Sequence, residues 1–234
     1  MKEYPIIFST EMVRAILDGR KTQTRRIVKA NIPDDAYDVF AWYAPEIPDK
    51  NKAEEGLYYW YGRGLKFEME CPYGKIGDRL WVRESFAYMD LFDVGYERDE
   101  PYLIGYRADK TCKDLLNNVW SETTDWNWEH DTIKWKPSIH MKREESRIIL
   151  EITNIKVERL QDITEEDCQA EGVKWQWNGN CEDCYQWSFT GNKKSNLWFD
   201  YAESCFQYLW DSIHKKENRW RDNPWVWAIE FKRI

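Results

Sequence analysis

An amine, two hydroxyls and three guanidinium groups crowd into the run Arg20-Lys21-Thr22-Gln23-Thr24-Arg25-Arg26. A threonine hydroxyl is too weakly acidic to attack an amide unaided, and an amine held neutral beside it can act as its base. Like charges disfavour protonation, so Arg20, Arg25 and Arg26 are expected to push Lys21 toward the neutral form. The chemistry so assembled is acyl transfer. Taken alone, the same run also reads as a solvated basic face whose cations sit where a helix C-terminus favours them.

The elements that must position these groups are legible around them. Ile6 to Phe8 reads as a short strand. A helix follows, with Ser9 or Thr10 as its cap, Val13, Ile16 and Leu17 on one face, and Gly19 in the C-terminal capping position. Side chains alternate along a strand, so a flat strand over Lys21–Arg26 would point Lys21 and Thr24 to opposite faces. The chemistry therefore requires a turn or kink near Thr22. Further on, Gly77-Asp78 leads into a strand with Leu80 and Val82 on one face, and Arg147 to Leu160 is a longer strand expected to be central. Thr164 to Gly172 forms a short helix with Thr164 as N-cap and early acids that complement its dipole. Glu171 sits at the wrong end of that helix, where a carboxylate costs about 0.3–1 kcal/mol, and such a local conflict points to function. A later helix from about Asn196 to Lys216 carries Trp198, Ala202, Cys205, Phe206, Leu209 and Ile213 at helical spacing and reads as a core stripe, not a site. Asn223-Pro224 turns into a closing strand, Trp225 to Phe231. Residues from about 29 to 70 and from about 87 to 134 have no sustained period and read as two large insertions in one domain spanning 1–234.

Composition bounds the function. A formal charge of -8 over 234 residues argues against nonspecific coating of nucleic acid, which needs many phosphate-neutralising cations. The 15 tryptophans and 14 tyrosines invite a base-stacking reading, but most are expected in the core, where aromatic side chains bury the most area. No signal peptide pattern and no apolar run of membrane-spanning length is visible, so a cytoplasmic protein without membrane partners is expected. Of six cysteines, Cys181 and Cys184 alone form a Cys-x-x-Cys pair, short of the ligands a structural zinc site requires, and no metal is expected.

The pattern Gly19-x-Lys21-x-x-Thr24-x-Arg26 resembles the Gly-x-Lys-x-x-Glu-x-Arg signature of ASCH domains, a branch of the PUA-like superfamily, with threonine at the usual glutamate position. The same substitution occurs in small ASCH proteins that act as N4-acetylcytidine amidohydrolases. Carried over residue by residue, that resemblance implies catalytic Lys21, Thr24 and Glu171, the last because Ile163 through Glu171 is similar to the segment preceding the catalytic acid. Lys21 to Arg26, Gly77 to Glu84, Trp135 to Met141, Glu158 to Ile163 and Asn223 to Trp227 resemble a larger phage and prophage ASCH-like family, departing from it at Lys142-Arg143-Glu144-Glu145. The resemblance implies an α+β fold: a PUA-like β-barrel with flanking helices, enlarged by the two insertions.

The activity it implies is removal of an acyl group from the exocyclic amine of N4-acylated cytidine or cytosine, a small-molecule nucleoside substrate, with no cofactor. Lys21 would take the proton of Thr24, Arg26 or backbone N–H groups would stabilise the oxyanion, Arg25 would contact substrate, and Glu171 would orient the amine or relay a proton. The competing class is a non-catalytic RNA or modified-base binding module, in which Lys21, Arg25 and Arg26 clamp phosphate with Lys134, Lys136, Lys142 and Arg143. A ribonuclease is a third, with His140 as its acid–base group.

Overall fold

The elements that carry the site begin where the capping signals place them. Strand β1 (Glu3–Ile7) ends at Ser9, whose side chain accepts from the Met12 N–H and starts helix α1 (Thr10–Leu17). Gly19 follows α1 with φ +72°, the left-handed conformation that glycine adopts without steric cost. The chain then wraps back on the helix end: the N–H groups of Arg20 and Lys21 both donate to Ala15 O, and Thr22 N–H donates to Ala170 O. Strand β2 (Gln23–Ile27) starts only after this turn, which centres on Gly19–Lys21 rather than on Thr22. Lys21 is thereby freed from the strand's two-residue alternation.

The computed structural model describes residues 1–29, 38–40, 57–62, 65–89, 103–114, 120–121, 133–177, 185–189, 197–214 and 217–234. Strands β3 (Asp38–Phe40), β4 (Leu57–Gly62) and β5 (Leu65–Glu70) form an antiparallel meander. Strand β6 (Arg79–Arg83) buries Leu80 and Val82 and leaves Trp81 and Arg83 half-buried, as the alternation predicts. Strands β7 (Phe86–Met89), β8 (Leu103–Tyr106), β9 (Thr111–Asp114) and β10 (Trp120–Ser121) make a four-stranded antiparallel sheet. The two stretches read as insertions therefore carry sheets of their own. Strand β11 (Ile149–Arg159) is followed by helix α2 (Glu165–Ala170) and the hairpin β12 (Lys174–Trp177) and β13 (Tyr185–Ser188). Helix α3 (Ala202–Ile213) and strand β14 (Trp225–Arg233) complete the order.

The organising sheet has the order β1-β6-β11-β14-β2, with β11 in the middle. Strands β1 and β6 are parallel and the other pairs antiparallel. Its core gathers Ile6, Phe8, Leu80, Val82, Leu150, Ile152, Trp227 and Ile229 beneath α1. A second core, with Leu160, Cys168, Trp187, Phe206, Trp210 and Val226, lies between α2, α3 and the hairpin. The fold is mixed α+β, rich in strands, and the sheets do not close into a barrel. A barrel needs a backbone ladder at every seam. Here the two edge strands meet through a side chain, the Arg26 guanidinium donating to Ile7 O at 2.6 Å.

The four-stranded sheet is anchored by a buried ionic group. Arg147 donates to both carboxylate oxygens of Glu84, at 2.8 and 3.0 Å, and to Asp109 at 2.6 Å, while its guanidinium lies 4.1 Å over the Tyr106 ring. No helix among the described residues is long and apolar enough to cross a membrane.

Strand β14 pairs with both β11 and β2 and sets the height of the whole site. Its Ile229 is fully buried opposite Thr24 and Ile155, so Ile229→Ala should cost about 2–5 kcal/mol in urea denaturation. A loss below the error of the measurement would show that this strand does not carry the core.

Candidate functional site

The turn after α1 carries Lys21 into the interior, where it is fully buried. Its Nζ donates to Gln23 O at 2.8 Å, Glu171 O at 3.0 Å and Glu171 Oε2 at 2.5 Å. The expected conflict at the end of α2 is resolved by this amine, which satisfies both the carbonyl and the carboxylate of the C-cap residue. Gly172 makes the approach possible. It turns the chain with φ +104°, and a Cβ there would lie 3.1 Å from the Ala15 Cβ and 3.6 Å from the Lys21 Cβ.

Lys21 is held below the usual lysine range, in the direction expected but for a different leading reason. Burial is the main cause, the Glu171 carboxylate opposes it, and Arg26 and Arg25 add to the lowering. The amine and the carboxylate meet at 2.5 Å with both side chains buried.

The guanidinium of Arg25, expected as a substrate contact, is held in a cluster of carboxylates. Its guanidinium meets Glu158 at 2.6 Å, Asp167 at 2.9 Å and Glu171 at 3.4 Å, and it donates to Gln23 Oε1 at 2.5 Å. Asp167 in turn accepts from Gln23 Nε2 and closes the capping box with Thr164. The cluster ties β2 to both ends of α2. Because Lys21 and Arg25 are buried against carboxylates, neither presents a cation to an incoming phosphate.

Thr24 and Glu171 line one small cavity of about 80 Å³ together with Arg25 and Arg26. Lys21 is not on its wall and reaches it through Glu171. Arg26 lies 5.2 Å over the Phe8 ring, and its Nε is buried with no hydrogen-bond partner among the described residues. A buried donor left unpaired is costly unless something else accepts from it.

The opposite wall comes from the end of α3. Ala202, Cys205, Phe206 and Leu209 pack in the second core as the periodicity predicts, and Phe206, Leu209, Trp210, Ile213 and His214 also line the cavity. Asn196 and the segment 215–216 lie outside the described residues, and the helix itself spans Ala202–Ile213. His214 terminates α3 with its ring 4.3 Å from that of Trp210. Burial lowers its pKa from 6.5, Arg26 adds to the effect and Asp211 opposes it, so the imidazole is neutral at pH 7. Sequence carried one signal for it, the position of a histidine at the end of an amphipathic helix, which is also where a purely structural cation sits.

Other candidates fall elsewhere. His140 is exposed at the end of a 3-10 turn and does not line the cavity, and Lys134, Lys136 and Lys142 are exposed away from that wall. Cys181 and Cys184 lie outside the described residues, and Cys71, Cys112, Cys168 and Cys205 are buried. Among the described residues no group of three or more His, Cys, Asp or Glu side chains could hold a metal ion. Compared with known protein families, curated proteins and solved structures, the chain matches none.

Removing one partner from a buried ionic cluster leaves the others uncompensated. Glu171→Ala should therefore destabilise the fold by about 3–5 kcal/mol at pH 7 in urea denaturation. Asp167 adds a pH signature. Burial raises its pKa, but Arg25, the Thr164 N–H and Gln23 together bring it below 3.8. The stability it contributes is complete above that ordinary value and lost as pH falls through the lower folded one. Asp167→Asn should lower stability at pH 7 and flatten this acid limb, and an unchanged limb would remove Asp167 from the cluster's energetics.

Proposed function

We propose that the chain is an enlarged ASCH-like, PUA-like protein that hydrolyses the amide joining an acyl group to the exocyclic amine of N4-acylated cytidine or cytosine. The observation that carries this reading is the buried Lys21–Glu171 pair, 2.5 Å apart, whose glutamate lines one cavity with Thr24.

The geometry refines the division of labour. Three acceptors surround Lys21 Nζ, so Lys21 works through Glu171 rather than on Thr24 directly. The Lys21–Glu171 pair takes the proton of the Thr24 hydroxyl as its oxygen attacks the acyl carbon. The negative charge that develops on the former carbonyl oxygen is met by the Arg26 guanidinium and by the neutral His214, both of which line the cavity. Collapse breaks the bond from acyl carbon to N4, and the pair returns its proton to the departing amine. Water then cleaves the Thr24 ester, giving the carboxylic acid and restoring the hydroxyl.

The cavity suits this role. At about 80 Å³ it is well below the roughly 300–1,000 Å³ of pockets that enclose a whole drug-sized ligand, and it takes the acyl end with the base outside. Met12, Ile27, Phe206, Leu209 and Ile213 supply the apolar lining for the acyl chain.

Groups that act as a unit are non-additive. On N4-acetylcytidine followed by chromatography, Lys21→Ala and Thr24→Ala should each lower kcat/KM by about 10²–10⁴-fold, with little further loss in the double variant. Activity should rise with pH as Lys21 deprotonates, along a limb centred below the ordinary lysine value of 10.5. Full activity in either single variant would end the proposal.

A further inference from the structure

Arg25 and Arg26 stand side by side on the cavity wall in opposite electrostatic situations. Arg25 meets three carboxylates, those of Glu158, Asp167 and Glu171. Arg26 meets none among the described residues: its one hydrogen bond there runs from Nη2 to Ile7 O, and its Nε is buried without a partner. Burial lowers its pKa, yet a guanidinium is not deprotonated in proteins, so the charge persists. The Phe8 ring, 5.2 Å away, attracts a cation through its quadrupole but supplies no counter-charge. A cation drawn out of water without an anion is costly, and an anion entering the cavity relieves that cost.

The other charges nearby already have partners. Glu171, the carboxylate on the same wall, accepts from Lys21 at 2.5 Å and from Arg25 at 3.4 Å. Glu158 and Asp167 lie against Arg25 and reach solvent. On the α3 side Asp211 accepts from the Trp220 N–H, and His214 is neutral at pH 7. One wall cation is left without a carboxylate, which selects a ligand carrying a single negative charge.

The rest of the wall limits the size and character of that ligand. Met12, Ile27, Phe206, Leu209 and Ile213 present hydrocarbon, so an inorganic anion would leave most of the lining unmatched. The cavity of about 80 Å³ holds roughly three groups the size of a water molecule, at about 30 Å³ each. A carboxylate on a very short hydrocarbon chain matches all three constraints.

We infer that the cavity binds a short-chain monocarboxylate such as acetate or propionate, with the charge at Arg26 and the hydrocarbon end against the apolar wall of β2 and α3. During turnover the acyl group enters as a neutral amide and leaves as an acid whose carboxylate matches Arg26, so the acid inhibits the site that releases it. Product inhibition rests on the amidohydrolase reading, whereas carboxylate binding does not.

The test is a titration of the intact protein with acetate, followed by saturation-transfer NMR at constant ionic strength. Acetamide serves as the uncharged ligand of the same shape and hexanoate as the long acid. Acetate should bind saturably, and acetamide at least about tenfold more weakly, because a hydrogen bond to a charged partner contributes about that factor. Hexanoate should bind more weakly than acetate, its chain exceeding the cavity. Arg26→Gln should abolish the preference for acetate over acetamide. Because Arg26 also bridges the sheet edge, Leu209→Ala probes the site from the other wall whatever Arg26→Gln does to the fold. The enlarged cavity should favour hexanoate over acetate by at least about tenfold more than the original does, each newly buried methylene contributing roughly fourfold. No saturable acetate binding, equal binding of acetate and acetamide, or unchanged acetate affinity in Arg26→Gln would overturn the inference. So would an unchanged preference among acids in Leu209→Ala.

Turnover separates the two readings. With N4-acetylcytidine as substrate, added acetate should raise KM and leave kcat unchanged, with an inhibition constant equal to its Kd, because the acid leaves last and returns to the free protein. Acetate binding without hydrolysis of any acylated cytidine would sink the amidohydrolase and keep the carboxylate site. Hydrolysis without acetate binding would do the reverse.

Discussion

The buried contact between Lys21 and Glu171 is the constraint on which the site depends. Taking two charges out of water is expensive, and the cost is offset only when nearly every donor and acceptor finds a partner. Here the amine has three acceptors, and Arg25 links Glu171 to Glu158 and Asp167. The cluster fixes where the end of α2 lies against β2, and so where the carboxylate points. A hydrophobic contact could hold the same elements together without aiming any atom, because apolar burial is non-directional.

Several features follow from that constraint. A glutamate at the C-cap of α2 is unfavourable for the helix alone and acceptable once an amine meets both its carbonyl and its side chain. The chain must leave α1 through a left-handed Gly19 so that Lys21 can turn back over the helix end before β2 begins. Arg26, one residue past Arg25 and therefore on the other face of β2, bridges the open edge of the sheet at Ile7 and lines the cavity, its Nε buried with no hydrogen-bond partner among the described residues. One short strand thus carries two arginines on the cavity wall, one held by carboxylates and one bridging the sheet edge.

Much of this was legible in the sequence because the signals are local. Caps at Ser9 and Thr164, turns at Gly19 and Gly172, the alternation around Leu80 and Val82, and the apolar run of β11 each depend on residues within one turn or one strand. The α3 stripe packs in the core as its period predicts, and its last turns also line the cavity: periodicity reveals that one helix face is apolar, but a cavity wall and a packed core demand the same residues. The insertions lacked a readable period, yet they hold paired strands, whose partners are set by cross-strand contacts that a one-dimensional pattern does not display.

By itself, the sequence determined which groups are chemically available, an amine, a hydroxyl and a misplaced carboxylate, and which local turns bound them. Only the tertiary structure decided that Lys21 and Glu171 meet at 2.5 Å in the interior, that Arg25 is held by carboxylates while Arg26 bridges the sheet edge, and that His214 and Trp210 line the cavity. Capping and alternation act over a few residues and are written in order along the chain. Desolvation and ion pairing act between groups about 150 positions apart, as in the Lys21–Glu171 bond, and exist only once folding has removed the water between them.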